Sequence, residues 1–521
     1  MDRHLLPIGI PDFATIRGDS FYYVDKTPLI HQLVKQGRYY FLSRPRRFGK
    51  SLLADTLHEL FAGNEQLFRG LYIHEFWDWS EANPIVHLCF GGNYNEPGNL
   101  ASDILAQLRI IERNAGLEVP LQDLTGPERL RNLLDQLHVR SGRRVAVLID
   151  EYDKPILDVL GKPDLAKENR DHLRGLYGIV KDCARHVRFV FVTGVSMFSK
   201  VSLFSGLNNL EDISLDPQFA TLCGYTDGDL NAVFAPEISG LDRDRIRHWY
   251  NGYNWRGEEK VYNPFDILLL FKKREFQPWW FRTGTPDFLY QTMLKRGVSP
   301  LDLENRVSDV DLVSTFDVDD IGLDALLFQT GYLTIASEDS RGGETFITLD
   351  YPNREIRQSL NKGLLGHLGK PAGEVRAVGE SLCRLLAGGD FAGFADRLRS
   401  FLAGVPYQWH SKPEIGRYEA WYKGLLYACF RATGADLRLE DASSHGSADM
   451  VLLHGERAFV LEFKMARDSE DGDAAAARAL VQARERNYAE KYSGLGGSVY
   501  LVGLAFGRKE RNLLALKTER C

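Results

Sequence analysis

Hydrophobic and polar positions follow two periods in the N-terminal part of the chain. A short aromatic and apolar run, Tyr39-Tyr-Phe-Leu42, ends at Ser43; after a loop, Leu52, Leu53, Leu57, Leu60 and Phe61 recur at helical spacing. The pattern predicts strand, loop, helix. Further strands are predicted at Pro84–Phe90, Val145–Ile149 and Val187–Gly194, with helices over 28–35, 98–116 and 127–139. Val145–Ile149 is apolar without a break, as in a strand buried on both faces of a parallel sheet. Strands alternating with helices predict an α/β core.

Beyond Gly224 the pattern becomes mainly helical. Thr226 is a candidate N-cap, and aromatic-rich turns at 249–255, 261–267, 281–286 and 327–333 are expected to pack more than to bind ligand. Amphipathic helices are predicted over 356–367, 373–387 and 391–403. The last unit reads as a helix over 415–432, strands over 437–439, 448–453 and 458–464 with a turn at His454-Gly455, a helix over 472–492 and a final strand over 498–504. Four regions follow: 1–223, 224–370, 371–405 and 406–521.

Composition is globular, 44% hydrophobic and 26% charged over 521 residues. A net charge of −7 excludes a uniformly basic coat, so any nucleic-acid contact is local. The six cysteines lack C-x-x-C spacing and suggest neither a zinc site nor a disulfide framework. With no signal-peptide pattern and no apolar run of membrane-spanning length, a soluble, cytoplasmic protein without membrane partners is expected.

The chemistry concentrates in two places. Gly49-Lys50-Ser51 opens the first predicted helix after a strand and loop, where backbone N–H groups and Lys can cradle phosphates and a hydroxyl can hold Mg²⁺. Arg44 stands where the general phosphate-loop pattern has its first Gly, and an ordinary basic loop is the bland alternative. Asp150 and Glu151 end the apolar strand at the edge where ligands bind in doubly wound sheets. Asp150 is the candidate second metal ligand and Glu151 the candidate to activate water; a strand ending in a charged turn is the alternative. At the end of the next strand Thr193 or Ser196 can sense a γ-phosphate or merely cap the strand. The nucleotide contacts are expected from Arg47, Phe48, Gly49, Lys50, Ser51, Leu52, Asp150 and Thr193.

The second place is Asp449 with Glu462-Phe-Lys464. Residues two apart on a strand share a face, and a hairpin brings Asp449 to them. Two carboxylates and a lysine fit a Mg²⁺ site for phosphodiester hydrolysis. An E-x-K on an exposed strand is commonplace, and that is the alternative.

Tyr23-Val-Asp-Lys-Thr27, Arg44-Pro-Arg-Arg-Phe-Gly-Lys-Ser51, Leu148-Ile-Asp-Glu-Tyr-Asp-Lys-Pro155 and Thr193-Gly-Val-Ser…Phe-Ser-Gly-Leu-Asn-Asn209 together resemble the AAA-ATPase-like proteins. These are bacterial and archaeal P-loop NTPases of the AAA+/STAND type that carry a PD-(D/E)XK nuclease-like domain at the C-terminus. Arg44 fits that family. Gly446-Ser-Ala-Asp449, Glu462-Phe-Lys464, Gln482…Tyr488 and Val502-Gly-Leu-Ala-Phe506 resemble its nuclease-like domain, with Ala448 replacing the Pro. The resemblance implies a P-loop core, a helical lid and winged-helix-like module, and a restriction-endonuclease-like α/β domain. It also implies ATP with Mg²⁺, Mn²⁺ as an option at the nuclease site, DNA as partner and homo-oligomers as an option. Glu419 becomes a further metal ligand, Gln482 a substrate contact and Arg282 a phosphate contact from the lid. Two alternatives stay open: a nuclease-like fold that only binds nucleic acid or protein, and a signalling switch between ATP and ADP.

Overall fold

The computed structural model describes residues 3–521 apart from 118–123, 198–206, 208, 284–288, 291, 294–295, 297, 299, 311–321, 342–343, 368–371, 405–414, 444–445, 468 and 496. The Phe204-Ser-Gly206 part and Asn208 of the Thr193–Asn209 motif, and the 284–286 part of the aromatic-rich turn at 281–286, lie outside the described residues. The chain divides into two compact units, Met1–Thr283 with Asn305–Asn353, and Gly284–Glu304 with Arg354–Cys521. The region 224–370, drawn as one block on sequence, is shared between them.

The first unit is built on five strands: β1 (Tyr39–Ser43), β2 (Ile85–Cys89), β3 (Val145–Asp150), β4 (Val187–Gly194) and β5 (Glu211–Asp212). They pair in parallel in the order β2-β3-β4-β1-β5. Every residue of β3 is buried, as its unbroken apolar run predicts. The helix Lys50–Phe61 follows β1 and buries Leu53, Leu57, Leu60 and Phe61. Because β4 lies between β1 and β3, the C-terminal ends of these three strands share one edge, the ligand edge of such sheets.

Several elements of this unit were not anticipated, among them a long helix and a short strand. The helix Pro163–Asp182 buries Leu165, Leu173, Leu176, Tyr177 and Val180, but Lys167, Glu168, Arg170 and Asp171 dilute that stripe. β5 is two acidic residues, recognisable only from its pairing with β1.

The rest of the unit begins where Thr226 caps the helix Asp227–Val233 in a capping box with Asp229. The aromatic turns are largely core: Trp249, Tyr250 and Tyr262 join Phe234, Ile267 and Phe271 in one buried cluster. β6 (Asn251–Tyr253) pairs with β7 (Val261–Tyr262), and β8 (Arg306–Asp309), β9 (Thr334–Arg341) and β10 (Glu344–Asp350) form an antiparallel sheet in the order β8-β10-β9.

The second unit carries β11 (Asp436–Ser443), β12 (Gly446–His454), β13 (Arg457–Met465), β14 (Val499–Phe506) and β15 (Leu513–Arg520) as one sheet in chain order. Only β13 and β14 pair in parallel, joined through the helix Gly472–Glu485. Residues of the helices Ala372–Gly388, Phe391–Ala403 and Ile415–Ala432 cover one face with Met450, Phe459 and Phe463, while Ala483 packs with Val451, Val460 and Leu501 on the other. The helix predicted to reach 492 stops at Glu485, and a 3₁₀ turn follows at Glu490–Leu495. β15 corrects the expectation that the strand ending near 504 is the last: Leu-Leu-Ala-Leu-Lys-Thr-Glu-Arg is rich in helix formers, and pairing with β14 overrides that preference. No helix among the described residues is long and apolar enough to cross a membrane.

Candidate functional sites

The first site forms at the end of β1. Arg47 (φ 69°) and Gly49 (φ 94°) turn the backbone through the left-handed region, and Gly49 occupies the N-cap of the helix Lys50–Phe61. Around this turn the loop is held by later parts of the same unit. Trp280 Nε1 donates to Arg46 O at 3.0 Å, and Phe48 packs edge-on against Tyr253 and Trp255. A side chain at Gly331 (φ 86°) would meet Pro45 at 2.8 Å.

Arg44 points away from the phosphate side. Fully buried, its guanidinium donates to Ser43 O and Ser214 O at 2.8 Å and to Phe219 O at 3.2 Å, and lies 4.2 Å from the Trp255 ring centroid. Burial lowers its pKa to about 10. The residue that departs from the general loop pattern is thus an anchor behind the loop.

Lys50 is 7% exposed and donates to Arg44 O at 2.9 Å and Pro45 O at 3.0 Å. Burial lowers its pKa, against the opposing pull of Asp150 and Asp153. Both carbonyls are acceptors that phosphate oxygens can replace. A cavity of about 630 Å³ opens here, within the size range of small-molecule sites. Its polar wall includes Arg46, Arg47, Lys50, Ser51 and Glu151; its apolar wall includes Ile10, Pro11, Tyr23, Val24 and Phe265. Phe48, Gly49 and Leu52 also reach it.

At the end of β3, Asp150 is buried and accepts from Glu151 N at 3.0 Å. Glu151 adopts φ 54°, a strained conformation for a non-glycine residue and common at functional sites. Burial, then Asp150, raises its pKa. Asp153, given no role on sequence, accepts from Val195 N at 3.0 Å, Ser196 N at 2.6 Å and Ser196 Oγ at 2.5 Å, tying the ends of β3 and β4 together. Ser196 is therefore committed to Asp153. Thr193 is fully buried in the sheet opposite Leu42, and its Oγ1 has no hydrogen-bond partner among the described residues. Glu151, Asp153 and Val195 reach the cavity wall; Asp150, Thr193 and Ser196 do not. Arg282 is exposed over Trp279 and also off that wall. Ser51 and Glu151 bring hard oxygens to the cavity, the donor chemistry that Mg²⁺ prefers, whereas Asp150 stands off its wall.

The second site lies across β12, β13 and the helices Ile415–Ala432 and Gly472–Glu485. Glu462 is 1% exposed; its Oε1 contacts Lys464 Nζ at 3.3 Å and accepts from Gln482 Nε2, while its Oε2 has no partner among the described residues. Burial, then Asp449, pushes its pKa up to about 7. Lys464 Nζ also lies 3.9 Å from Glu419 Oε1. Asp449 Oδ2 accepts from Phe463 N at 2.9 Å. Asp449, Glu462, Lys464, Glu419 and Gln482 thus share one linked neighbourhood.

Lys423 was missed. It donates to Asp449 Oδ1 at 3.0 Å and to Glu440. The available signal was its position four residues after Glu419, which places both on one face of a helix. Among the described residues no three His, Cys, Asp or Glu side chains form a ready-made metal cluster; lysines bridge the carboxylates instead. The orphaned Glu462 Oε2 beside Asp449 nevertheless fits a hard divalent cation, to which each carboxylate would contribute an oxygen.

Fold and sites define a class: a nucleotide-binding α/β module joined in one chain to a nuclease-like module. Residues 7–204 match the AAA-ATPase-like family model, described as a predicted AAA-ATPase, and residues 417–515 match a PD-(D/E)XK nuclease superfamily model. An Azotobacter chroococcum mcd 1 protein described as "Uncharacterized protein in vnfD 5'region" is 49% identical over 521 residues, covering 100% of this chain and 99% of its own length. No solved structure matches. The chain belongs to the AAA-ATPase-like family and carries a C-terminal domain of the PD-(D/E)XK nuclease superfamily.

Proposed function

We propose that the chain binds and hydrolyses ATP with Mg²⁺ at the first site and cuts DNA with Mg²⁺ or Mn²⁺ at the second, ATP licensing the cut. In this reading residues 1–223 are the ATPase core, 224–370 a helical lid and winged-helix-like module, 371–405 a helical connector and 406–521 a restriction-endonuclease-like domain. Lys50 and the loop N–H groups hold the β- and γ-phosphates, Ser51 and Asp150 hold Mg²⁺, and Glu151 orients the attacking water. In the second site Asp449 and Glu462 hold the metal, with Glu419 as a further ligand. The bound ion supplies charge stabilisation and a more acidic water. Lys464 would position the attacking water and neutralise charge, and Gln482 would orient Glu462 and meet substrate.

The observation that carries the reading is the buried, half-partnered Glu462 between Lys464 and Gln482. An exposed structural E-x-K would leave neither the burial nor the orphaned oxygen. The test is cleavage of single-stranded, nicked and duplex DNA with Mg²⁺ or Mn²⁺, with and without ATP, in wild type, Lys464→Ala and Lys50→Ala. Cleavage lost in Lys464→Ala supports the nuclease; no cleavage in wild type under any condition overturns it. We place the protein in the cytoplasm, acting in defence against foreign DNA or in DNA processing, with homo-oligomers as an option.

A second reading, an ATP/ADP switch whose nuclease-like domain only binds, is favoured by one observation. Lys50 is held by its own loop carbonyls, while Trp280, Trp255 and Gly331 pack around that loop. ADP retained through purification and hydrolysis limited to a single turnover would select it.

A further inference from the structure

We propose that Lys423 is a positioning residue that competes with the divalent ion for Asp449 and so sets the metal concentration at which the second site fills. The inference rests on the nuclease reading. Asp449 has two oxygens: Oδ2 is engaged by Phe463 N at 2.9 Å, and Oδ1 carries the Lys423 ammonium at 3.0 Å. A cation binding through Oδ1 must therefore meet an ammonium already there. The Lys423 and Asp449 side chains are each only 15% exposed, so water screens their contact weakly.

The fold also provides somewhere for the ammonium to go. Lys423 contacts Glu440 as well, whose side chain is 61% exposed. In the β11–β12 ladder Leu439 pairs with Met450 and Asp441 with Ala448, which leaves Glu440 and Asp449 at the same level between them. Glu440 has φ 42°, a conformation rare for non-glycine residues in a strand, and Ser447 Oγ donates to its Oε2 at 3.2 Å. A lysine that releases Asp449 keeps Glu440 as its partner. Exchange of lysine for metal at Asp449 then needs a side-chain swing and leaves no buried ammonium unpaired.

The test is calorimetric titration of the full chain with Mn²⁺ alone, with Asp449→Asn defining the site-specific heat. Lys423→Met, which keeps the apolar stem, is expected to bind Mn²⁺ about threefold to tenfold tighter than wild type. Lys423→Gln should tighten it in the same direction and serves where the methionine variant folds poorly. Lys491→Met removes the same charge from Asp441, one residue beyond Glu440, and should shift affinity less than about twofold, because a screened charge elsewhere acts weakly. Thermal melting gives an independent readout: Mn²⁺ should raise the melting temperature of Lys423→Met at lower concentrations than it does for wild type. Unchanged or weaker binding in both Lys423 variants overturns the competition, as does equal tightening in Lys491→Met. Absence of any Asp449-dependent binding in wild type and variants instead overturns the nuclease reading on which it rests.

Discussion

The two sites are electrostatic opposites. At the end of β1 a buried ammonium, Lys50, is held by two carbonyl oxygens, acceptors that carry no full charge. Across β12 and β13 a buried carboxylate, Glu462, and a partly buried one, Asp449, are held by two ammoniums, Lys464 and Lys423. In the proposed function one arrangement is completed by an anion and the other by a cation. Unpaired charge is costly in a protein interior, so each site borrows a counter-group from its own chain. The difference is that the first borrows dipoles, which a phosphate displaces cheaply, and the second borrows full charges, which a metal displaces only in competition.

The largest effect should come from breaking the second site. Lys464→Ala is expected to lower DNA cleavage about a thousandfold, the scale of losing a preorganised charge at a developing oxyanion, while leaving ATP binding intact. Gel-resolved cleavage rates under metal saturation measure it, and a loss below tenfold would reduce Lys464 to a structural partner of Glu462. Next, Lys50→Ala should lower ATP turnover about a hundredfold and abolish the thermal stabilisation that ATP and Mg²⁺ confer. If stabilisation by nucleotide survives, the loop does not hold phosphate through this lysine.

How much of this contrast was legible in the sequence depends on whether a residue acts through local pattern or through distant neighbours. β3 and its carboxylates were readable because an unbroken apolar run has one physical meaning and the charges stand directly at its end. Glu462 and Lys464 were readable because strand periodicity puts them on one face. Asp153 was not, since its three donors come from the Val195-Ser196 turn beyond β4. Lys423 was hidden for the same reason: only folding brings Asp449 and Glu440 to it. Arg44 could be seen as a departure from the loop pattern, but its direction depended on Ser214, Phe219 and Trp255, far along the chain. β15 was missed because its composition favours a helix.

Arg44 sharpens the comparison further, as a cation beside the first site that serves the fold. Arg44→Ala removes the donor from three buried carbonyl contacts and a cation from the Trp255 face, and should cost about 3 kcal/mol of stability. Denaturant titration measures that loss, and nucleotide affinity of the folded fraction should change little. A large fall in affinity at unchanged stability would instead make Arg44 part of the phosphate cradle.

The smallest effect is expected at Thr193, where the two interpretations of one side chain differ in sign. A hydroxyl that senses the γ-phosphate must reach the cavity, yet Thr193 is fully buried and its Oγ1 is unpartnered among the described residues. Replacing it with valine keeps the branched shape and removes a buried polar atom that gains no hydrogen bond from the described residues. Thr193→Val is therefore expected to leave ATP turnover within about twofold and to change stability by less than about 1 kcal/mol, toward greater stability. Turnover and denaturation midpoints of the same preparation measure both. A tenfold fall in turnover would mean that nucleotide binding moves the end of β4 toward the cavity, making Thr193 a γ-phosphate sensor and the Asp153 contacts to Val195 and Ser196 the latch that such a movement must release.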